Sequence, residues 1–255
     1  MTFDMNISHD WDLTPKQALA LQKELAAKVE QRDRLPPGGR RALKHIAGLD
    51  VAFEDGGKVT RGAVVVLRMA DLETVAEAVA RRPTSLPYIP GLLSFREVPV
   101  LLDALALLDI PPDILICDGH GLAHPRRFGI ACHLGLLTGL PAIGVAKSRL
   151  TGRHDEPGSE KGYWAALVDT PKGGGRGGAH RHRPPYPGGR KAGLCLHRPP
   201  RQSENIPGAD APLHRSIPPA RTGAPGGQAV EGGLDPSEMH MAFRQARLRA
   251  RVNTR

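Results

Sequence analysis

The sequence has few aromatic residues and few cysteines, and each shortage excludes a class of protein. Aromatic residues make up 4% of the chain although 40% of its residues are hydrophobic, so a core must be built from aliphatic side chains. The three cysteines, Cys117, Cys132 and Cys195, lie far apart and fit neither a zinc-binding spacing nor an even set of disulfides. This pattern favours a reducing compartment.

Long apolar runs are missing as well. No run of about eighteen or more apolar residues occurs, which excludes a membrane-spanning helix. The N-terminal stretch MTFDMNISHDWDL is acidic and lacks the apolar segment of a secretory signal. We therefore expect a cytoplasmic protein with no membrane partner.

The positive charge of the chain is confined to its last third. The net charge is +9, but residues 171–255 carry 15 Lys and Arg against 5 Asp and Glu, whereas residues 1–170 carry 20 against 21. A basic balance normally indicates a nucleic-acid partner. Here it provides no support for a basic binding surface on the first 170 residues.

Periodic apolar residues and turn signals predict the elements of the first half. Thr14-Pro15 is a helix start signal followed by apolar residues at helical spacing, which predicts a helix over 14–34. The apolar runs 45–53 and 62–67 flank the turn sequence EDGGK and predict a β-hairpin. The segment 72–80 fits a third strand or a helix.

Helices and strands alternate in the next part of the chain. The capping-box spacing of Ser94 and Glu97 predicts a helix over 94–108. Further elements are predicted as a strand at 113–117, a helix at 130–138 and a strand at 142–146. This order indicates an α/β fold, a mixed sheet that starts with an antiparallel hairpin and is flanked by helices.

The last third has the composition of a low-complexity segment. Residues 171–255 contain 14 glycines and 12 prolines, and no strand or helix period appears in them before 239–252. We therefore predict one domain over 1–170 and an irregular tail over 171–255.

Three acidic residues lie where carboxylates have chemical consequences. Asp50 interrupts an apolar strand, and a buried charge there is costly unless a partner compensates it. Asp118 ends the strand predicted at 113–117, and Glu97 is expected in the first turn of the preceding helix. Ligands of open α/β sheets collect at the carboxyl ends of strands. If the three carboxylates converge they repel one another, and a pair of divalent cations relieves that repulsion.

Each carboxylate also has an ordinary structural interpretation. Glu97 fits a helix-capping acid and Asp118 fits a turn residue before Gly119. Asp50 is harder to explain in this way because the rest of its strand belongs to the core. Spacing alone indicates a metal-dependent hydrolase or a phosphoryl-transfer enzyme and does not choose between them.

Four motifs resemble the endonuclease V family in order and separation. They are GLDVAFEDGGKVTRGAVVVL, LPYIPGLLSFRE, DGHGLAHPRRFGIACHLGLL and PAIGVAKSRL, and the similarity covers residues 44–168. The resemblance implies an RNase H-like fold and a metal-dependent repair endonuclease for deoxyinosine and other deaminated bases. It implies a cut at the second phosphodiester bond 3′ to the lesion that leaves 3′-hydroxyl and 5′-phosphate ends.

The resemblance also assigns catalytic roles. Asp50, Glu97 and Asp118 match the metal-binding acids of the family and would hold Mg²⁺, with Mn²⁺ as the alternative ion. Lys147 matches a lysine near the scissile phosphate, where its cation would offset charge that develops in the transition state. His124 matches a histidine that orders water or phosphate near the metal. Outside the family context, such a lysine is usually solvated and such a histidine is usually structural.

Two further segments are implied to contact DNA. The PYIP sequence matches a wedge that enters the duplex, where prolines stiffen the loop and Tyr88 and Ile89 fill the gap left by a flipped base. Two glycines beside Asp118 would let the backbone approach that base, and two arginines would hold phosphates. A surface tyrosine and an ordinary glycine turn are the alternatives. The assigned residues are Pro87, Tyr88, Ile89, Pro90, Gly119, Gly121, Arg126 and Arg127.

The resemblance stops after residue 168, and the tail has a second interpretation in another reading frame. One back-translation of 197–201 yields Ile-Gly-His-Arg when it is read one nucleotide later. One back-translation of 215–224 yields Gly-Gln-Tyr-Arg-Leu-Pro-Glu-Pro-Val in that same frame, and the family carries similar strings in this order. We therefore predict a frameshift near 171–178, against the alternative of a natural basic tail.

Three functions stay open on the sequence alone. The first is a repair endonuclease that uses water as the nucleophile. The second is a lesion-binding protein whose catalysis is impaired because its C-terminal segment is scrambled. The third is an RNase H-like nuclease of another specificity. The expected partner is DNA with deaminated bases, with inosine-containing RNA as a second class, and no protein partner is indicated.

Overall fold

The computed structural model describes residues 7–31, 42–155, 165, 167–168 and 191–195, which form one mixed sheet with flanking helices. The helices are α1 (Pro15–Ala26), α2 (Leu93–Ala106) and α3 (Ile130–Thr138). The strands are β1 (His45–Glu54), β2 (Val59–Arg68), β3 (Thr74–Pro83), β4 (Ile114–Asp118), β5 (Ala142–Ala146) and β6 (Lys191–Cys195). The predicted α/β class is confirmed.

The sheet has the order β3-β2-β1-β4-β5-β6. Strands β1, β2 and β3 are antiparallel neighbours, so the predicted hairpin start is confirmed. Strands β4 and β5 run parallel to β1, and β6 pairs antiparallel with β5. The carboxyl ends of β1, β4 and β5 therefore lie at one edge of the sheet.

Alternating side chains divide the core between the two faces of the sheet. Leu115 and Cys117 of β4 belong to the cluster that contains α2 and α3, whereas Ile114 and Ile116 belong to a smaller cluster on the other face. This follows from the period of two along a strand. A strand with both faces covered is apolar throughout, which explains the continuous run in β4.

The first helix is shorter than predicted. Thr14 caps it as expected, and a capping box forms because the Gln17 side chain bonds back to the Thr14 backbone. The helix ends at Ala26 instead of near residue 34, and the amides of Ala27 and Lys28 bond three residues back in a tightened final turn. Val29 lies after the helix but still packs into the core. Because it continues the apolar spacing of α1, the sequence alone indicated a further helical turn.

The second helix begins before the predicted cap. Its N-cap is Leu92, not Ser94, and no side chain caps it. Leu92 is buried, and its amide donates to the Ile89 carbonyl at 3.0 Å, so the preceding loop turns directly into the helix. Glu97 consequently lies beyond the first turn, where it cannot close a capping box.

Two predictions in the less regular segments have different outcomes. The segment near 72–80 is a strand, β3, and the helical alternative is wrong. In the tail, which was expected to be irregular, β6 forms the edge strand beside β5. The rest of 171–255 lies outside the described residues, and so does the proposed frame change. No described helix is long and apolar enough to cross a membrane.

Candidate active site

A cavity of about 400 Å³ opens at the edge where β1, β4 and β5 end. Its wall combines acids, histidines, a lysine and part of the loop before α2. Among its lining residues are Asp50, Tyr88, Pro90, Glu97, Asp118, Gly119, His120, His124 and Lys147. All the predicted catalytic residues thus share one cavity with Tyr88 and Pro90 of the wedge sequence.

Strand register brings two of the acids together. Leu49 of β1 pairs with Cys117 of β4, so Asp50 and Asp118 occupy the next positions on neighbouring parallel strands. Lys147 follows the last residue of β5, and its ammonium group donates to the Asp118 carboxylate. Glu97 is contributed by α2, which packs across β2 and β3.

The acids are held in a site that disfavours their charges. Burial raises the pKa of Asp50 to about 7, and the charge and hydrogen bond of Asp118 add to the effect. Burial raises the pKa of Glu97 to about 8, with Asp118 and Asp50 as the next causes. Among the described residues that line the cavity, Lys147 is the one lysine or arginine. The site carries excess negative charge that one ammonium group does not balance.

The donor set suits a hard divalent cation. All three acids carry oxygen donors, which Mg²⁺ prefers, and a cation would offset both the burial and the repulsion that raise the pKa values of Asp50 and Glu97. In the described residues, no three His, Cys, Asp or Glu side chains already form a group that could hold an ion. Asp118 instead bonds both the Lys147 ammonium group and the Asp50 carboxyl group.

The two histidines of the cavity have lowered pKa values and are bonded within the protein. Burial, and then the Arg126 charge, lower the pKa of His124 to about 4. The Nδ1 atom of His124 accepts from the Arg126 amide at 3.2 Å, and its ring also bonds the Gly91 backbone. Burial lowers the pKa of His120, whose Nε2 donates to the Ser148 carbonyl at 2.9 Å. His124 thus contacts the loop before α2 within the same cavity as the acids.

The wedge sequence forms an exposed loop with buried ends. Tyr88 is 67% exposed, and Pro87 and Pro90 are also exposed, while Ile89 is partly buried. Leu86 and Leu92 on either side are buried in a cluster with Ala18 and Phe95. The loop therefore presents its aromatic ring to solvent beside the cavity and is anchored to the core at both ends.

The glycines and arginines predicted to contact DNA differ in where they lie relative to the cavity. Gly119 lines the cavity with a φ of +144°, and an added Cβ would lie 2.7 Å from Ile130, so only glycine fits there. Gly121 is buried, and its carbonyl accepts from the Gly129 amide. Arg126 and Arg127 do not line the cavity. The Arg126 guanidinium bonds Gln22 and the Gly91 carbonyl.

Four polar residues of the cavity were not predicted. They are Gln22, His120, Ser148 and Ser94, whose buried hydroxyl has no hydrogen-bond partner among the described residues. For Gln22 a signal existed, because it lies at helical spacing between the core residues Ala18 and Leu25 on the apolar face of α1. For His120 the only signal was its place between two glycines after β4.

Comparisons with known proteins agree with this geometry. The family model for Endonuclease V matches residues 23–184, beyond the predicted range of 44–168 at both ends. Endonuclease V of Azotobacter vinelandii is 56% identical over 159 residues, 62% of this chain and 70% of that protein. Endonuclease V of Trichormus variabilis is 49% identical over 160 residues, 63% of this chain and 71% of that protein.

A solved structure supports the same conclusion. Endonuclease V of Streptomyces avermitilis superposes with a TM-score of 0.63 at 42% identity, covering 75% of this chain and 81% of that one. The predicted family resemblance is confirmed. The chain belongs to the endonuclease V family, a family of nucleases that act on DNA.

Proposed function

We propose that this protein hydrolyses a phosphodiester bond in DNA beside a deaminated base, with deoxyinosine as the principal lesion. The observation that carries this proposal is that one cavity is lined both by three carboxylates, two of them buried, and by Tyr88 from an exposed loop. The carboxylates suit phosphodiester chemistry, and the loop suits the opening of a duplex. Family membership supports the same assignment.

The acids and the lysine would divide the catalytic work. Asp50 and Asp118 would hold Mg²⁺ with Glu97 as a further oxygen donor, and Mn²⁺ is the alternative ion. When bound, the ion supplies an activated water and neutralises charge on the phosphate. The Lys147 ammonium group, beside Asp118, would stabilise the charge that develops on the phosphate oxygens. His124, in the same cavity wall, would order water or the phosphate.

Base recognition would use the loop and the backbone beside Asp118. Tyr88 and Ile89, stiffened by Pro87 and Pro90, would fill the space left when the base flips out. Flipping costs less at a mismatched pair such as one with inosine, which favours lesions over normal pairs. The backbone at Gly119 would approach the extruded base, and Gly121 would support that turn. The cut would fall at the second phosphodiester bond on the 3′ side and leave 3′-hydroxyl and 5′-phosphate ends.

Replacement of Asp50 by alanine tests the metal assignment. We expect Asp50→Ala to abolish Mg²⁺-dependent nicking of an inosine duplex, because one side of the metal site is removed, while a gel shift in Ca²⁺ still detects lesion binding. Asp109→Ala removes an exposed carboxylate that does not line the cavity and serves as the control. Normal cleavage by Asp50→Ala would refute the metal assignment.

A second candidate is a lesion-binding protein without turnover. It is favoured by the Gly- and Pro-rich composition of 171–255, where the sequence departs from the family pattern. The same two assays separate the candidates, because a binder shifts the inosine duplex in Ca²⁺ but does not nick it in Mg²⁺. An undamaged duplex and an inosine-containing RNA in parallel lanes measure the specificity.

A further inference from the structure

A buried amide lies where a leucine or alanine would be expected. Gln22 is 1% exposed, and its neighbours on the buried face of α1 are Ala18 and Leu25. A buried amide is unfavourable unless its donors and acceptor are satisfied. The contacts of Gln22 therefore explain why a polar side chain is stable at this position.

The Gln22 side chain joins two loops that are distant in sequence. Its Nε2 donates to the Gly91 carbonyl at 2.9 Å and to the Phe128 carbonyl at 2.8 Å. Its Oε1 accepts from Nε of Arg126. Both amide hydrogens and the amide oxygen are thus used. The two carbonyls are 69 and 106 residues away from Gln22 along the chain.

Arg126 completes the arrangement from the other side. Its Nη2 donates to the Gly91 carbonyl at 2.7 Å, so the guanidinium bonds the same carbonyl as Gln22. Gly91 has a φ of +81°, and an added Cβ would collide with Nη2 of Arg126. The positive φ favours glycine at 91, and a Cβ there would displace the guanidinium from the carbonyl. We call Gln22, Arg126 and the Gly91 carbonyl the clamp.

The clamp joins the two parts of the cavity that serve base extrusion in the proposed function, the wedge loop and the segment 119–129 with Gly119, which we call the base pocket. Gly91 directly follows the PYIP sequence, and Phe128 lies at the end of the segment that connects β4 to α3. Both residues line the cavity together with Gln22 itself. The wedge loop and the base pocket are therefore held together by the hydrogen bonds of Gln22, from α1, and by the bonds that Arg126 and His124 make to Gly91.

We propose that Gln22 is a positioning residue for base extrusion, which holds the wedge loop in register with the base pocket through Arg126 and Gly91. This inference rests on the proposed function. It gives Arg126 a task inside the protein, because two of its donor groups are directed at protein acceptors. It also predicts that the defect of a clamp variant depends on whether the substrate is a duplex.

Gln22→Met is the main test, because methionine keeps the length of the side chain and removes all three hydrogen bonds. Hydrogen exchange of the free protein is measured first, since it does not depend on activity. We expect faster exchange of amides in 86–92 and 122–129 and unchanged exchange in β1 and β4. Lys23→Met, on the exposed side of the same helix, is the matched control.

Cleavage of two inosine substrates is the second readout. On a duplex, where the wedge must replace the flipped base, we expect the single-turnover rate of Gln22→Met to fall roughly 10–100-fold. On a single strand, which needs no wedge, we expect the same substitution to lower the rate by less than about threefold. A purely structural defect would lower both rates equally.

Arg126→Met separates the clamp from phosphate binding. If Arg126 binds a DNA phosphate, its replacement lowers the salt slope for binding of an undamaged duplex by about one. If Arg126 acts through the clamp, Arg126→Met should leave the salt slope of binding unchanged. It should also show the same duplex-specific loss of cleavage rate as Gln22→Met. The clamp also predicts that the double variant is no slower than either single variant, because both break one unit. If Gln22→Met fails to fold, Arg126→Met carries the exchange and rate measurements.

Three results overturn the proposal. The first is hydrogen exchange in Gln22→Met that is unchanged, or that is faster throughout the protein. The second is an equal loss of cleavage rate on duplex and single strand. The third is additive losses of rate in the double variant. A wild-type protein that cleaves no inosine substrate refutes the proposed function instead. In that case the exchange measurement still decides whether Gln22 positions the two loops.

Discussion

At the scale of single residues, the site holds charges where burial opposes them. Asp50 and Glu97 are 7% and 8% exposed, and each lies close to the charge of Asp118. When no cation is bound, the folded protein must therefore either protonate these carboxyl groups or keep them charged at the cost of their mutual repulsion. Such a cluster reduces stability, and in the proposed function a bound cation would offset that cost.

Asp50→Asn should make the metal-free protein more stable at pH 8. The pKa of Asp50 rises from 3.8 unfolded to about 7 folded, so its destabilising effect grows as the pH increases from about 4 and is complete above about 7. Removal of this charge should add about 1–3 kcal/mol to the free energy of unfolding at pH 8, and far less at pH 5. Thermal melts in EDTA at both pH values measure the difference.

The same melts with Mg²⁺ added give the complementary result. Wild-type protein should gain stability from the ion, whereas Asp50→Asn should gain much less because a ligand is missing. Asp109→Asn, at an exposed position, is the control and should melt like wild type at both pH values. A destabilised Asp50→Asn at pH 8 would contradict the assigned repulsion.

At the scale of elements, the wedge loop combines rigid anchoring with an exposed ring. Its ends are buried at Leu86 and Leu92, and its backbone is bonded through Gly91 to the clamp. An exposed aromatic residue contributes little to folding. The loop can therefore be altered at its tip without loss of the structure that supports it.

Tyr88→Ala should impair duplex cleavage and leave stability unchanged. Stacking of a base on an aromatic ring contributes roughly 1–3 kcal/mol, so cleavage of an inosine duplex should slow by about 5- to 150-fold. Single-stranded inosine DNA should be affected much less. The melting temperature should not move, because Tyr88 is 67% exposed.

Leu107→Ala is the matched control for this prediction. Leu107 is 62% exposed, lies at the far end of α2 and does not line the cavity, so its variant should cleave normally. Equal slowing of Tyr88→Ala on both substrates would exclude a wedge role. Unlike Gln22→Met, Tyr88→Ala should leave hydrogen exchange in 122–129 unchanged.

At the scale of the whole molecule, the chain combines a family domain with an unrelated C-terminal composition. The family match ends at residue 184, and the excess of positive charge lies in 171–255. We propose that a one-base shift near codons 171–178 moved the remainder into another frame. The abundance of Gly, Pro and Arg in 171–255 would then result from GC-rich DNA read out of frame and not from selection on the protein.

Restoring the frame should increase both stability and activity. Deletion of one nucleotide near codons 171–178 would place Ile-Gly-His-Arg and the Tyr-Arg-Leu-Pro-Glu-Pro string in the chain, in family order. We expect a higher melting temperature and faster nicking of inosine DNA than in the original chain, with a chain ending at residue 170 as the control. Sequencing across codons 168–180 that finds no missing or extra base would overturn the frame change.

Much of this protein was predictable from local sequence because the relevant physics is local. Apolar periodicity and turn residues predicted β1, β2, α3 and β5, and placed Asp50 within one strand and Asp118 at the end of another. The motif strings predicted the family. The errors lay at the end of α1, where Val29 continues the apolar spacing beyond the helix, at the start of α2, where the buried Leu92 is the N-cap, and in the tail, where β6 pairs with β5.

Only the tertiary structure decided how these parts act together. The charge repulsion between Asp50 and Asp118 depends on the pairing of two strands, and the burial of Glu97 depends on where α2 packs. The bonds of Gln22 to Gly91 and Phe128 join segments that are 69 and 106 residues apart. No local pattern encodes such contacts, because they form only when the folded core brings α1 and both loops together.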